Sequence, residues 1–210
     1  MNIDSIIFDL DGTLWNSTEA ICATWGLVLK NYPEMKKEIT VSDLERCMGL
    51  PLDVIGEKLF PEIEEKKRKE LMAECCRLEN QYLTEHGGIL YPHLEDILKK
   101  LEKKYKLYIV SNCQDGYIQS FLNAHKMGKY FKDFECIGVT GLCKGENNKL
   151  VIERNHLKSP VYVGDTQGDA DSAKVAGIPF VYARYGFGQV TEYDYVIDTF
   201  KELLGIEWKK

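Results

Sequence analysis

Three short apolar runs along the chain each stop at a polar residue. "SIIF" (5–8) runs into Asp9, "LYIV" (107–110) into Ser111, and "VYV" (161–163) into Gly164 and Asp165. Each run is rich in β-branched or aromatic residues and too short for a helix, which predicts strands buried on both faces of a parallel sheet. "GIPFVYA" (177–183) and "YVI" (195–197) predict two more strands. Helical periodicity falls between the runs. Residues 93–104 set Leu94, Ile97, Leu98 and Leu101 on one face, and residues 169–176 open on Asp169 and stop at Gly177. Strands alternating with helices predict an α/β protein with a doubly wound, Rossmann-like parallel sheet. Such sheets bind ligands beyond the carboxyl ends of their strands. Asp9, Ser111 and Asp165 are therefore expected at one site.

Residues 16–86 follow a different pattern, with helical spacing throughout and no convincing strand. Asn16 with Glu19 resembles a helix N-cap and its partner, followed by Ile21, Trp25 and Val28. Thr40 with Asp43 opens a short helix that stops at Gly49, and Pro51 starts another with Leu52, Ile55 and Leu59. Residues 62–86 place Leu71, Cys75, Leu78 and Tyr82 on a stripe and end at two glycines. The predicted organisation is an α/β core from 1–15 and 87–210, with a helical cap of residues 16–86 inserted after the first strand. Charge runs such as "EIEEKKRKE" read as a solvated face.

Composition narrows the function without naming it. With 210 residues, 44% of them hydrophobic and 29% charged, the chain can bury a full core. A formal net charge of -6 argues against nucleic acid as a partner. The seven cysteines are scattered, with no Cys-x-x-Cys pair, which points to reduced thiols and not to a disulfide framework or a zinc site. The first residues do not read as a signal peptide, and no run approaches a membrane span. A cytoplasmic protein with no membrane partner is expected, as a monomer or small homo-oligomer acting on a small molecule.

Asp9 and Asp11 stand one residue apart beside the glycine of a tight turn. Like charges so close repel, and one pKa is expected to rise unless a cation or a proton compensates. "FDLDGTL", "VSN" (110–112), Lys144 and "VGDTQGDADSAKVAG" (163–177), in that order, resemble the haloacid dehalogenase superfamily of phosphohydrolases, and within it the phosphoglycolate-phosphatase-like branch. The resemblance covers nearly the whole chain. It implies a Mg2+-dependent phosphatase that acts on small phosphorylated metabolites through an aspartyl-phosphate intermediate.

On that reading Asp9 is the nucleophile. Asp11 is general acid for the leaving alkoxide and then base for water. Mg2+ is held by the carboxylates of Asp9 and Asp165 and, as the resemblance implies, by the backbone carbonyl of Asp11. Asp169 is a ligand or an outer partner of the ion. Ser111 donates its hydroxyl to a phosphoryl oxygen, and Asn112 orients or contacts substrate. Lys144 supplies a fixed positive charge. Gly145 stands where the family often has proline, so Lys149 competes for that role. Lys144 is preferred for its position ahead of a helical stretch. Backbone N–H groups around Gly12 suit phosphate oxygens, and Thr13 either contacts phosphate or caps the turn.

In the insertion, "RCMGLPLDVIG" resembles the segment of the cap that faces substrate in this branch. Arg46 there reads equally as a partner for an anionic group of the substrate or as a surface arginine. Trp15 and Asn16 lie at the hinge, and asparagine replaces the usual acid at position 16. His86, His93, His125 and His156 are expected to be structural or exposed, Asp171 to be a surface charge, and Cys113 a small buried residue. Arg184 is a candidate for the mouth of the site. Two rivals share the chemistry: a sugar phosphomutase of the β-phosphoglucomutase type, and a signalling receiver domain. The Asp-x-Asp spacing and the long insertion argue against the receiver. Phosphonate hydrolysis and dehalogenation imply branches that alter the second aspartate, whereas Asp11 is present.

Overall fold

A computed structural model describes residues 2–32 and 38–208. The chain opens with β1 (Ser5–Phe8) and a short β2 (Trp15–Asn16). Among the described residues four helices follow: α1 (Thr18–Leu29), α2 (Val41–Glu45), α3 (Leu52–Leu59) and α4 (Glu65–His86). Next come β3 (Ile89–Leu90), α5 (Leu94–Leu101), β4 (Lys106–Ser111), α6 (Tyr117–Ala124), β5 (Phe131–Cys136) and α7 (Ile137–Thr140). The rest is α8 (Lys144–Arg154), β6 (Pro160–Gly164), α9 (Gln167–Ala176), β7 (Phe180–Ala183), β8 (Tyr195–Ile197) and a 3-10 turn at Phe200–Gly205.

Among the described residues the main sheet has the order β5-β4-β1-β6-β7-β8, with every neighbouring pair parallel. The chain runs outward from β1 through β4 to β5, then returns to lay β6, β7 and β8 on the other side. The winding direction reverses at β1, which is the switch point where such sheets open a crevice. Alternate residues of each strand feed two separate cores. Ile6, Phe8, Leu107, Ile109, Val161 and Val163 pack on one face, while Ile7, Tyr108, Val110 and Tyr162 pack on the other. Helices on both faces explain why these strands read as unbroken apolar runs.

The four-helix insertion has the expected local signals. Thr40 and Asp43 form a reciprocal capping box at α2, Gly49 takes φ +81, and Pro51 precedes α3. The two chain crossings that join the insertion to the sheet pair with each other, as the antiparallel β2–β3 ribbon.

Several expectations need correction. α1 begins at Thr18, and Asn16 sits outside it with Oδ1 accepting from the Thr18 N–H and hydroxyl. On α4 the buried face runs through Leu71, Cys75, Glu79 and Leu83, and Tyr82 is exposed. β5 was not expected from the sequence. It is an edge strand, and its Asp133 and Glu135 pair with Arg154 of α8. Among the described residues no helix is long and apolar enough to cross a membrane.

Candidate active site

The switch point gathers the acidic residues. Asp9 follows β1 and Asp165 follows β6, while Asp169 comes up from the first turn of α9. One carboxylate oxygen from each of these three buried side chains lies within 4.8 Å of the others. Two glycines clear the space around Asp165. Gly12 has φ +80, and a Cβ there or at Gly186 would overlap the Asp165 carboxylate. Asp165 is held by the Phe187 N–H on Oδ2 at 2.7 Å and by the Thr13 hydroxyl on Oδ1 at 3.3 Å. Asp169 caps its own helix: Oδ2 accepts from the Thr166 N–H, the Thr166 hydroxyl and the Asp165 N–H.

Lys144 opens α8 and is the buried cation of the cluster. Its Nζ lies 3.0 Å from Asp9 and 2.8 Å from Asp169. Lys149, its competitor in the sequence, is half exposed and pairs with Glu146 instead. Burial alone would lower the Lys144 pKa, but the charges of Asp169 and Asp9 outweigh it and hold the ammonium above its ordinary range. Burial, and then the charge of Asp169, push Asp9 upward against the pull of Lys144. Asp165 is raised for the same two reasons, with Asp9 adding to them. Three buried carboxylates around one lysine carry an excess of negative charge. With an all-oxygen donor set, they fit a hard divalent cation such as Mg2+.

Asp11 points elsewhere. Its Oδ1 lies 2.6 Å from the Ser17 hydroxyl and 2.8 Å from the Tyr117 hydroxyl, and those two hydroxyls are 2.7 Å apart. Burial raises its pKa, against the lowering effect of the Ser17 and Tyr117 hydrogen bonds. So the neighbouring aspartates separate: Asp9 joins the carboxylate cluster and Asp11 joins two hydroxyls. Tyr117, which the sequence reading missed, belongs to this second group.

A cavity of about 50 Å³ lies between the strand tips and the insertion, room for a few water-sized groups. Its floor includes Asp9, Asp11, Ser111 and Asn112, and its roof comes from the insertion. Asn112 ties the two together, its Nδ2 donating to the Gly49 carbonyl at 2.9 Å. The roof is apolar, with Trp25, Leu44, Leu50 and Ile55, except for one carboxylate, Glu79. Glu79 is the second missed residue. Its Oε2 accepts from the Trp25 indole at 2.5 Å and its Oε1 from the Gln114 amide at 2.8 Å. Burial pushes its pKa up to about 8, which those two bonds oppose and the charge of Asp11 assists.

Other expected residues lie off the cavity. Arg46 is exposed, with its guanidinium on Asp43 and the Ser42 carbonyl. Arg184 forms a two-pronged pair with Asp198 and is half exposed. The Gly12 N–H donates to the Trp15 carbonyl and the Thr13 N–H to the Leu10 carbonyl, so the turn itself occupies both donors. Gly12 and Thr13 thus serve Asp165, by clearance and by hydrogen bond. Cys113 is buried as expected. His86, His93 and His156 are exposed, and His125 packs edge-on against Trp15. His93 adopts φ 61 at the start of α5.

Comparison with known proteins gives the family and the fold. A family model described as haloacid dehalogenase-like hydrolase matches residues 6–183. The phosphoglycolate phosphatase of Aliivibrio fischeri is 26% identical over 228 residues, covering 98% of this chain and 96% of that protein. Two solved structures share the fold. A haloacid dehalogenase-like family hydrolase from Streptococcus pneumoniae has a TM-score of 0.85 at 21% identity, covering 97% of this chain and 98% of its own. A structure described as a predicted phosphoglycolate phosphatase from Haemophilus somnus 129pt has a TM-score of 0.86 at 22% identity, covering 98% of each chain. With the family model spanning most of its length and the fold shared throughout, the chain belongs to the haloacid dehalogenase-like hydrolases.

Proposed function

We infer that this hydrolase is a phosphatase, cleaving small phosphate monoesters through a phosphorylated Asp9. The observation that carries the reading is the buried Asp9 carboxylate at the switch point, 3.0 Å from Lys144 and opening on a cavity that Asp11 also lines. In the first step an Asp9 oxygen attacks phosphorus, the ester P–O bond breaks, and the leaving alkoxide takes its proton from Asp11. In the second, water gives a proton to Asp11 and attacks the same phosphorus. The Asp9–phosphorus bond then breaks and inorganic phosphate leaves. The raised pKa of Asp11 suits a group that must hold a proton and then lose it.

Lys144 supplies positive charge beside the transferring group, and the Ser111 hydroxyl can bind a phosphoryl oxygen. Asp9, Asp165 and the Asp11 backbone carbonyl would hold Mg2+, with Asp169 steadying Asp165 and Lys144. When bound, the ion offsets the repulsion between the carboxylates and the phosphate dianion. We take residues 16–86 as a cap that excludes bulk water from a core of 1–15 and 87–210, in a cytoplasmic enzyme. The test is Asp9→Asn. Release of phosphate from p-nitrophenyl phosphate should fall by about four orders of magnitude or more, as for loss of a covalent nucleophile, while circular dichroism stays unchanged. Near-normal turnover by the folded variant would exclude the mechanism.

A further inference from the structure

Among the described residues no Lys, Arg or His side chain lines the cavity, and the buried Lys144 is bound to Asp9 and Asp169. The one ionisable side chain that the insertion's described residues contribute to the roof is a carboxyl group. Glu79 is 3% exposed and forms no ion pair among the described residues. Each of its oxygens takes a single protein donor, the Trp25 indole N–H or the Gln114 amide N–H. A carboxylate oxygen accepts at two sites, so acceptor capacity remains on a side chain that lines the cavity. The apolar neighbours Leu44, Leu50 and Ile55 contribute no donor to meet it. Once ionised, above its pKa of about 8, Glu79 presents what enters beside the phosphate with an unmatched acceptor in a low-dielectric wall, where a second anion is repelled more strongly than in water.

We propose that Glu79 selects the leaving group: the substrate is a small phosphate monoester whose alcohol carries a hydroxyl or ammonium donor, and phosphates that end in a carboxylate are rejected. This rests on the phosphatase reading and deepens it. It also predicts a preference different from the substrate named for its curated relatives, because phosphoglycolate carries a carboxylate. Glu79 and Gln114 also bridge α4 to the loop after β4, so a merely structural role for Glu79 must be separated from selection.

Four near-isosteric probes do this, assayed at about pH 9, above the Glu79 pKa of about 8, so that its carboxylate is charged: 2-hydroxyethyl phosphate, 2-aminoethyl phosphate, ethyl phosphate and 2-phosphoglycolate, with p-nitrophenyl phosphate as reference. The wild-type enzyme should favour the hydroxyethyl or aminoethyl ester over phosphoglycolate by about tenfold or more in kcat/KM, with ethyl phosphate between. The better of the first two identifies the donor as hydroxyl or ammonium. Glu79→Gln keeps the shape and removes the charge, and should shrink the discrimination against phosphoglycolate by about tenfold, mainly through KM. A structural bridge would lower all four rates together and leave the ratios alone. Phosphate release with phosphoglycolate equal or preferred in the wild type, or an unchanged ratio in Glu79→Gln, overturns the assignment while leaving the phosphatase reading intact. No release from any ester, the reference included, overturns both.

Discussion

At the strand tips Asp9, Asp165 and Asp169 crowd within 4.8 Å of one another, and Lys144 is buried among them. Across the cavity on α4, Glu79 is buried just as deeply and has only neutral donors, Trp25 and Gln114. Both regions hold carboxylates out of water, but they balance the charge differently. The floor keeps its own cation and geometry for a further one, whereas the roof leaves one acid against apolar side chains. A site that must stabilise the same phosphoryl group in every turnover benefits from preorganised charge. A site that must choose a leaving group needs an unmatched group that only the right ligand satisfies. On the proposed function, the contrast between floor and roof is one between catalysis and selection.

Lys144→Met breaks the contrast most severely, because it turns the floor into a crowd of acids with no cation. Phosphate release should fall about a hundredfold or more, as for loss of a preorganised charge at a reacting centre. Unfolding without added metal should become easier by about 3–5 kcal/mol, the cost of stripping one partner from a buried ion pair. Lys149→Met, which removes an exposed partner of Glu146, should change stability by less than about 1 kcal/mol. Steady-state assays and denaturant titration of the two variants check this. Equal effects would mean that Lys144 does not balance the floor.

The floor was legible in the sequence and the roof was not, for physical reasons. Asp9, Ser111 and Asp165 each end a buried strand, so a short apolar run fixes their position to within a residue. Strand-end polar residues in a doubly wound sheet converge whatever the loops do. Glu79 has no such marker. Along the 22 residues of α4 the stripe Leu71, Cys75, Leu78, Tyr82 fits helical spacing, but packing rotates the buried face to Leu71, Cys75, Glu79, Leu83. An acid at an apolar position is read as a surface charge until the neighbours that bury it are known. Tyr117 was hidden for a related reason, since only the packing of α6 brings its hydroxyl to Asp11. The edge strand β5, "FKDFEC", lacks an apolar run because its charges are met by Arg154 on α8.

A second prediction sharpens the comparison through pH. Glu79 has its pKa raised from 4.5 to about 8 in the folded protein, chiefly by burial. A carboxyl whose pKa is higher when folded favours folding fully below its unfolded value and loses that advantage as pH rises through its folded value. The wild type should therefore lose stability relative to Glu79→Gln between pH about 4.5 and about 8, by on the order of a few kcal/mol, and the gap should be flat above that window. The floor acids are present in both proteins and largely cancel in the difference. Parallel thermal melts of the two proteins across this range measure it. A gap that does not change with pH would mean that Glu79 is already charged at low pH, and the roof would no longer differ from the floor.

The smallest expected effect falls on the insertion's other charged candidate. Arg46 lies in the segment that by resemblance faces substrate, yet its side chain is 70% exposed and bound to Asp43 at 3.3 Å. An exposed pair of this kind contributes about 0.2–1 kcal/mol, and the guanidinium does not line the cavity. Arg46→Ala should therefore leave kcat/KM for the hydroxyethyl, aminoethyl and glycolate phosphates within about twofold of wild type, a change of about 0.4 kcal/mol. If the variant instead lost activity on phosphoglycolate alone, Arg46 would swing inward to receive a carboxylate when the substrate binds. The roof would then carry a cation after all, and its preference would run opposite to that assigned to Glu79.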